Sequence, residues 1–169
     1  MTHRVRLLDP ARDREAVSDL YRRSADYVGL ERDEPPGPAL TDEFFTDALP
    51  GADLTAMRKL GMEDVETPGA LLAIVDMGFG YPEPGDAYLG LLQVAEAARG
   101  QGLGALFLRE AERIAQEAGA ARLYIAVLHA NPRGRAFWER EGFRVALDNR
   151  PVTLGKKSHL ATRMVKDLC

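Results

Sequence analysis

The stretch ARGQGLGALF, residues 98–107, places glycine at every second position, Gly100, Gly102 and Gly104, between an aliphatic run and a helical pattern. Glycine weakens any regular element it enters, so three of them where a helix begins need a physical reason. A helix start supplies one. Its first N–H groups have no partner inside the helix, and the aligned peptide dipoles add partial positive charge. Together they make an anion site suited to phosphate. Without a Cβ in the way, the backbone approaches the ligand closely, and Arg99 adds a planar fork of donors. The spacing therefore predicts a strand feeding a tight loop that wraps phosphate oxygens. The alternative is a plain strand-to-helix turn that holds nothing.

Two familiar glycine-rich motifs fit poorly. GQGLGA satisfies the dinucleotide pattern G-x-G-x-x-A through Gly100, Gly102 and Ala105. That fingerprint also wants an acid roughly 20 residues on, at the end of the next strand, to hold a ribose hydroxyl. The next strand here ends AVLHANP, without one. A dinucleotide-dependent oxidoreductase is thus the weaker alternative. The pattern G-x-x-x-x-G-K-[ST] is absent, because no Lys-Ser/Thr pair follows the glycines.

The rest of the chain reads as one domain over residues 1–169, long enough for a proper core. Val5, Leu7 and Leu8 start a strand. Asp9 and Pro10 suit a cap and first turn for a helix carrying Val17, Leu20, Tyr21 and Ala25. GLERDEPPGPAL (29–40) reads as a loop, and Thr41, Asp42 and Glu43 open a short helix with Phe44 and Phe45. Strands follow near 54–62, 70–78 and 86–95, the last two joined by YPEPGD as a hairpin. After the glycines, Leu103, Leu106, Phe107, Ile114 and Ala118 mark a helix face ending near Gly119. RLYIAVL (122–128) is a strand, NPRGRAFWEREG a short helix capped by Asn131, and FRVALD and HLATRMVKDL two final strands joined by RPVTLGKKSH (150–159). The class is α/β (α+β), a mixed sheet with helices packed on it.

A formal net charge of −4, from 22 basic and 26 acidic residues, gives no general attraction to nucleic acid or an anionic membrane. The longest apolar run, Ala70–Val75, is too short to span a bilayer, and MTHRVRLLDP lacks a secretory pattern. With Cys169 the only cysteine, a reducing, cytoplasmic setting is expected. His3, His129 and His159 show no metal-ligand spacing, so no metal is expected.

RGQGLG (99–104) matches the Q/R-x-x-G-x-G/A signature of the GNAT superfamily of N-acetyltransferases. NPRGRAFWEREGF (131–143) resembles the same family's N-P-x-x-A-x-x-L-Y-E-K-x-G-F segment, with Asn131, Glu139, Gly142 and Phe143 at matching positions. The resemblance implies a GNAT-like, mostly antiparallel sheet of six to seven strands flanked by about four helices. It implies transfer of an acetyl group from acetyl-CoA to a primary amine of a small molecule or protein, by direct attack in a ternary complex. A catalytically silent module that binds coenzyme A is the alternative. Dimers are common in the family, so a homodimer is within expectation.

Carried over by position, the amides of Gly100, Gln101, Gly102, Leu103 and Gly104 would hold the cofactor pyrophosphate. Main-chain groups at Leu92, Gln93 and Val94 would pair with the pantetheine arm, and the Val94 amide would polarise the thioester carbonyl. Asn131 and Trp138 would lie beside the cofactor. Arg99, Arg133 and Arg135 are candidates for its phosphates, with a solvated helix face as the alternative for the last two.

The departures matter. Trp138 stands where many members carry the tyrosine that protonates the leaving thiolate, and an indole N–H cannot act as that acid. Tyr21, Tyr81, Tyr88 and Tyr124 are replacements in principle. Glu96 occupies a position that is often proline. Asp86, Glu96 and His129 are candidate bases, each with a structural alternative. Glu31, Asp33 and Glu34 would bias the acceptor toward a cation, unless they are merely a solvated loop. The 150–159 segment would form the opposite wall, with Lys156 and Lys157 in solvent.

Overall fold

The computed structural model describes residues 2–168, so Met1 and Cys169 lie outside it. Seven strands form one sheet in the order β1-β2-β3-β4-β5-β7-β6. They are β1 (His3–Leu7), β2 (Met57–Asp64), β3 (Leu71–Phe79), β4 (Asp86–Val94), β5 (Arg122–Leu128), β6 (Arg144–Leu154) and β7 (Lys157–Asp167). All neighbours run antiparallel except β4 and β5. Five helices cover the sheet: α1 (Arg14–Arg22), α2 (Ala25–Arg32), α3 (Pro38–Thr46), α4 (Leu103–Glu117) and α5 (Pro132–Arg140). The fold is the mixed, mostly antiparallel α/β sheet that the sequence predicts, with one helix more than expected.

The extra helix arises at Ser24. The sequence reads as one helix from Asp9 onward, but two local competitions divide it. Asp13 is drawn to Arg6 at 2.9 Å and accepts the Asp9 amide at 2.7 Å, so the helix proper begins one turn late. The buried Ser24 hydroxyl bonds back to the Leu20 carbonyl at 2.9 Å, and the Arg23 carbonyl is diverted to the Glu96 amide at 3.1 Å. The second segment, α2, then runs to Arg32, where a loop is expected, and stops at Asp33 in the left-handed region. Pro38 opens α3 three residues before the predicted start, at the first-turn position that suits proline.

The last two strands form a longer hairpin than expected. β6 continues through Arg150 and Pro151 to Leu154, and the turn is only Gly155 and Lys156. Proline within a strand argues against pairing except at a sheet edge, and β6 is that edge. Along α4 the buried stripe is Leu103, Phe107, Leu108, Ala111 and Ala115; Leu106, expected inside, is half exposed. That stripe packs on the sheet with Ile74, Val75, Leu123, Ile125 and Met164 in one core. Burial of each large side chain contributes roughly 1.5–3 kcal/mol.

The two faces of the sheet carry different helices. Lys59 pairs across to Asp76, and Asp76 to Leu91, so all three share one face, with Gln93 two residues further on. The Lys59 ammonium lies 5.5 Å from the Phe44 ring, which marks this as the α3 face. Val94 points the other way: a Cβ built on Gly104 of α4 would come within 4.0 Å of it and 3.4 Å of Phe137 of α5.

Candidate active-site cleft

β4 and β5 pair only over Asp86–Arg122, Ala87–Leu123 and Tyr88–Tyr124, then part. Gly90 is an extra residue on β4, a bulge opposite the Asp76–Met77 step, and bulges bend and twist the strand that carries them. An open cleft of about 1120 Å³ fills the gap, lined by β4 from Tyr88 to Val94, by Ala126–Leu128, and by residues of α2, α4, α5 and the β6–β7 hairpin.

Ladder alternation decides which β4 groups face this gap. The Ala95 amide bonds the Leu72 carbonyl at 2.9 Å, so Val94 and Ala73 form a pair that exchanges no hydrogen bonds. The main-chain N–H groups of Val94 and of Leu92 therefore point away from β3, into the cleft. Gln93 alternates with them and spends its main chain on β3. The expected trio of Leu92, Gln93 and Val94 thus contributes two open-edge residues, with the Gln93 main chain already paired. The Gln93 side chain is buried, and neither its Nε2 nor its Oε1 has a hydrogen-bond partner among the described residues.

The glycine loop closes one end. Gly100 and Gly102 both have φ of +79°, a left-handed conformation that other residues rarely adopt, and Gly102 caps α4. The first bond of α4 runs from the Leu106 amide to the Gly102 carbonyl at 3.1 Å. The amides of Leu103, Gly104 and Ala105 consequently have no partner within the helix, at the positive end of a 15-residue dipole. This donor set fits a diphosphate. Gly100, Gly102, Leu103 and Gly104 line the cleft; Gln101 is exposed and outside its lining.

The expected phosphate arginines divide. Arg99 lines the cleft, but its Nε bonds the Val94 carbonyl at 3.1 Å and its fork grips the Asp26 carboxylate at 2.7 and 3.3 Å. It works as a clamp between α2 and the loop. Arg135 turns to Glu139 at 2.5 Å, outside the cleft lining, whereas Arg133 is part of that lining.

Asn131 caps α5 by accepting the Gly134 amide at 3.0 Å, and its Nδ2 donates to the Tyr27 hydroxyl at 3.3 Å. Trp138 reaches the cleft wall wedged edge-to-face between Phe137 and Phe143, with ring centroids 4.9 and 5.2 Å apart.

The other end of the cleft is roofed by α2. The Glu31 carbonyl faces His159 Nε2 at 2.7 Å, the Leu30 carbonyl accepts Lys157 Nζ at 3.4 Å, and the Arg32 carbonyl accepts the Lys156 amide at 3.3 Å. Lys157, expected in solvent, is one of these ties. The lining there takes Tyr27 and Glu31 from α2 itself, with Tyr21, Asp76, Tyr88, Arg150 and Arg163. Burial pushes the Glu31 carboxyl up to about 7, with the neighbouring Arg32 charge opposing the shift. Burial also raises Asp76, against the lowering effect of Lys59 at 2.9 Å, and raises the phenols of Tyr21, Tyr27 and Tyr88.

The three bases proposed from sequence sit elsewhere. Asp86 is buried at the foot of β4, paired with Arg122 at 3.0 Å and accepting the Glu83 amide at 3.2 Å. Glu96 is exposed on the turn after β4, and His129 pairs with Asp148 at 2.9 Å; none of the three lines the cleft. Of the acidic trio only Glu31 reaches the lining, with Asp33 and Glu34 outside it. Of the tyrosines proposed as acids, Tyr21 and Tyr88 line it, and Tyr81 and Tyr124 do not. Sequence reading overlooked Tyr27, Asp76 and Arg163. A signal for Tyr27 and Glu31 exists in their i,i+4 spacing, which puts both on one face of a helix, but only once α2 is known to be one.

Comparison with known proteins agrees with this geometry. The family model described as "Acetyltransferase (GNAT) family" matches residues 16–143. An acetyltransferase from Thermus thermophilus is 26% identical, with a TM-score of 0.77 over 99% of this chain and 98% of that one. The Escherichia coli ribosomal-protein-S18-alanine N-acetyltransferase, 18% identical, aligns with a TM-score of 0.70 over 99% and 94% of the two chains. PaiA N-acetyltransferase from Thermoplasma acidophilum, solved in complex with coenzyme A, is 20% identical, with a TM-score of 0.69 over 99% of each chain. The curated proteins contain no significant match.

Proposed function

This chain belongs to the acetyltransferase (GNAT) family, and from that premise we propose that it moves an acetyl group from acetyl-CoA to a primary amine, with Glu31 as the base. The observation that carries the reading is one cleft with free helix-start amides at one end and a carboxyl raised to about 7 at the other. When bound, acetyl-CoA supplies an acyl group activated as a thioester. Leu103, Gly104 and Ala105 offer their amides to its diphosphate, and the open edge of β4 at Leu92 and Val94 holds the arm as a strand would. The Val94 N–H, aimed into the gap, would polarise the carbonyl of a bound thioester.

Amine attack requires the neutral form. A carboxylate with a pKa near the working pH combines the right protonation state with useful basicity, and Glu31 takes the ammonium proton on its side-chain oxygens. The charged and titratable neighbours that face it are Arg32 and Tyr27 on its own helix, Tyr21 on α1, and His159 of β7 against its carbonyl. Tyr27 keeps its phenolic proton because burial raises it, and it sits against Asn131. It is therefore the cleft phenol placed to donate a hydrogen bond toward the sulfur of a bound thioester, near the position where Trp138 replaces the family's tyrosine. The single cysteine, which makes no intrachain disulfide, goes with a reducing, cytoplasmic setting.

Calorimetry with coenzyme A, followed by free-thiol release from acetyl-CoA across a panel of amines, tests this. Micromolar binding and an amine-dependent thiol signal that rises with pH through about 7 are the expected results. No heat at millimolar coenzyme A defeats the reading.

A further inference from the structure

We infer that the acceptor carries an anionic group as well as its amine, with an apolar body between cleft wall and solvent, and that Arg150 and Arg163 recognise the anion. This rests on the transferase reading and names its substrate class. The observation is an unbalanced pair of charges. Of the six arginines that line the cleft, Arg32 is held by Glu43 and Arg99 by Asp26, each at 2.7 Å, Arg133 and Arg140 stand on α5, and Arg150 and Arg163 stand together on the β6–β7 hairpin. Among the described residues, Arg163 has no carboxylate partner. It donates to the Tyr81 hydroxyl at 2.9 Å and lies 5.3 and 5.5 Å from the Tyr81 and Tyr88 rings. Arg150 likewise has no carboxylate partner among the described residues, and both arginines line the cleft.

Strand register puts the two together. Arg150 pairs with Ala161, and Arg163 is two residues further along β7, so both side chains stand on one face as diagonal neighbours. His159 and Val152 share that face, and His159 is the residue that meets the Glu31 carbonyl. From His159 to Arg163 is four residues, about 13 Å of strand. Arg32, the arginine that does face Glu31, is itself held by Glu43. The space between the carboxylate and the guanidinium pair therefore suits one small molecule. Its amine goes to Glu31 and its anion to the arginine forks, whose geometry matches carboxylate or a phosphorus oxyanion. Leu40, Phe44, Leu91, Val152 and Leu154 supply the apolar wall.

The chemistry defines an amine whose apolar chain ends in a carboxylate, or in a phosphonate in the same place. The test is thiol release from acetyl-CoA with matched sets: amino acids whose amine and carboxylate stand at opposite ends of an apolar chain, their carboxamides, their decarboxylated amines and the corresponding aminophosphonates. The expected result is a kcat/KM at least tenfold higher for carboxylate or phosphonate than for the neutral partners, the two anion arms showing which oxyanion is preferred. R163Q and R150Q should each raise the KM for the anionic acceptor roughly tenfold, and change it less than twofold for the decarboxylated amine. Coenzyme A affinity, measured by calorimetry on the same variants, stays at the wild-type value. Neutral amines that react as well as anionic ones overturn the inference and leave the transferase reading standing, as does an equal KM change for both classes in the variants. Coenzyme A binding without thiol release for any anionic amine also overturns it. No coenzyme A binding at all overturns the reading beneath it.

Discussion

The two ends of the cleft are built from different materials. At the α4 end the groups proposed to bind are main-chain amides of residues adjacent in sequence, held in place by the φ of Gly100 and Gly102. At the α2 end they are side chains of Glu31, Tyr88, Arg150 and Arg163, brought together from a helix and two distant parts of the sheet. A backbone-built site is fixed by conformation and changes little with chemistry. A side-chain site can be rebuilt by substituting single residues on an unchanged scaffold. One fold can thus keep a constant donor and vary its acceptor.

Glu31→Gln should separate the ends most sharply. General-base removal costs about 10²- to 10⁴-fold in rate, so kcat should fall by at least two orders of magnitude and lose its rise through about pH 7. Coenzyme A affinity, set at the other end, should not move. The variant also carries a stability signature. Burial raises the folded-state pKa above its ordinary value of 4.5 to about 7, so the folded chain holds that proton more tightly than the unfolded one. The stability this gives is present below the unfolded pKa and is lost as pH rises through about 7. Replacing the carboxyl with a neutral amide should therefore stabilise the protein at pH 8 by up to about 3 kcal/mol and leave it unaltered at pH 4. Melting curves at the two pH values check the sign.

Gly102→Val attacks the opposite end. A Cβ at Gly102 meets no protein atom within 4 Å, so the chain has room for it. The difficulty is the φ of +79°, which a β-branched residue resists at a cost of about 1–3 kcal/mol. The loop should relax and withdraw its amides, lowering coenzyme A affinity roughly tenfold to a hundredfold. Calorimetry reads this directly. Unaltered affinity would mean that the glycines serve only the turn.

This contrast also explains what the sequence disclosed. The loop at 99–104 and the Asn131 cap were legible because each is a local requirement: a left-handed glycine, a side chain bonding an amide three residues on. The sheet was legible through its apolar runs. The acceptor end was not. α2 was hidden because Ser24 breaks the helix by a bond to Leu20 that no periodicity announces. The reach of β6 was hidden because Pro151 argues against a strand until the edge position is known. Arg163 and Glu31 stand 132 residues apart, and no motif joins them.

Asp86 tests the same division from outside the cleft. Its carboxylate is buried against Arg122 and the Glu83 amide, a structural arrangement at the foot of β4. Asp86→Asn weakens a charge-assisted pair and should cost about 1–2 kcal/mol, lowering Tm by roughly 3–6 °C for a chain of this size. Thiol release at 25 °C should be unaltered. A fall in kcat with Tm unchanged would return Asp86 to the reaction.

Gln93 sits on the boundary between the two materials, and the smallest effect is expected there. Its main chain belongs to the β3 ladder, and its side chain lies on the face of Asp76 and Lys59 with neither amide atom partnered among the described residues. A buried amide without hydrogen bonds costs about 1–3 kcal/mol. Gln93→Leu removes that cost but exchanges a planar amide for a branched group of similar size, and imperfect repacking returns part of the gain. A net stabilisation of about 1 kcal/mol remains, or roughly 2–4 °C in Tm. Because the ladder is untouched, the Leu92 and Val94 amides still face the gap and coenzyme A affinity should hold. If stability fell instead, the Gln93 amide would have a partner in solution, and the face beneath α2 would be wetter than its burial implies.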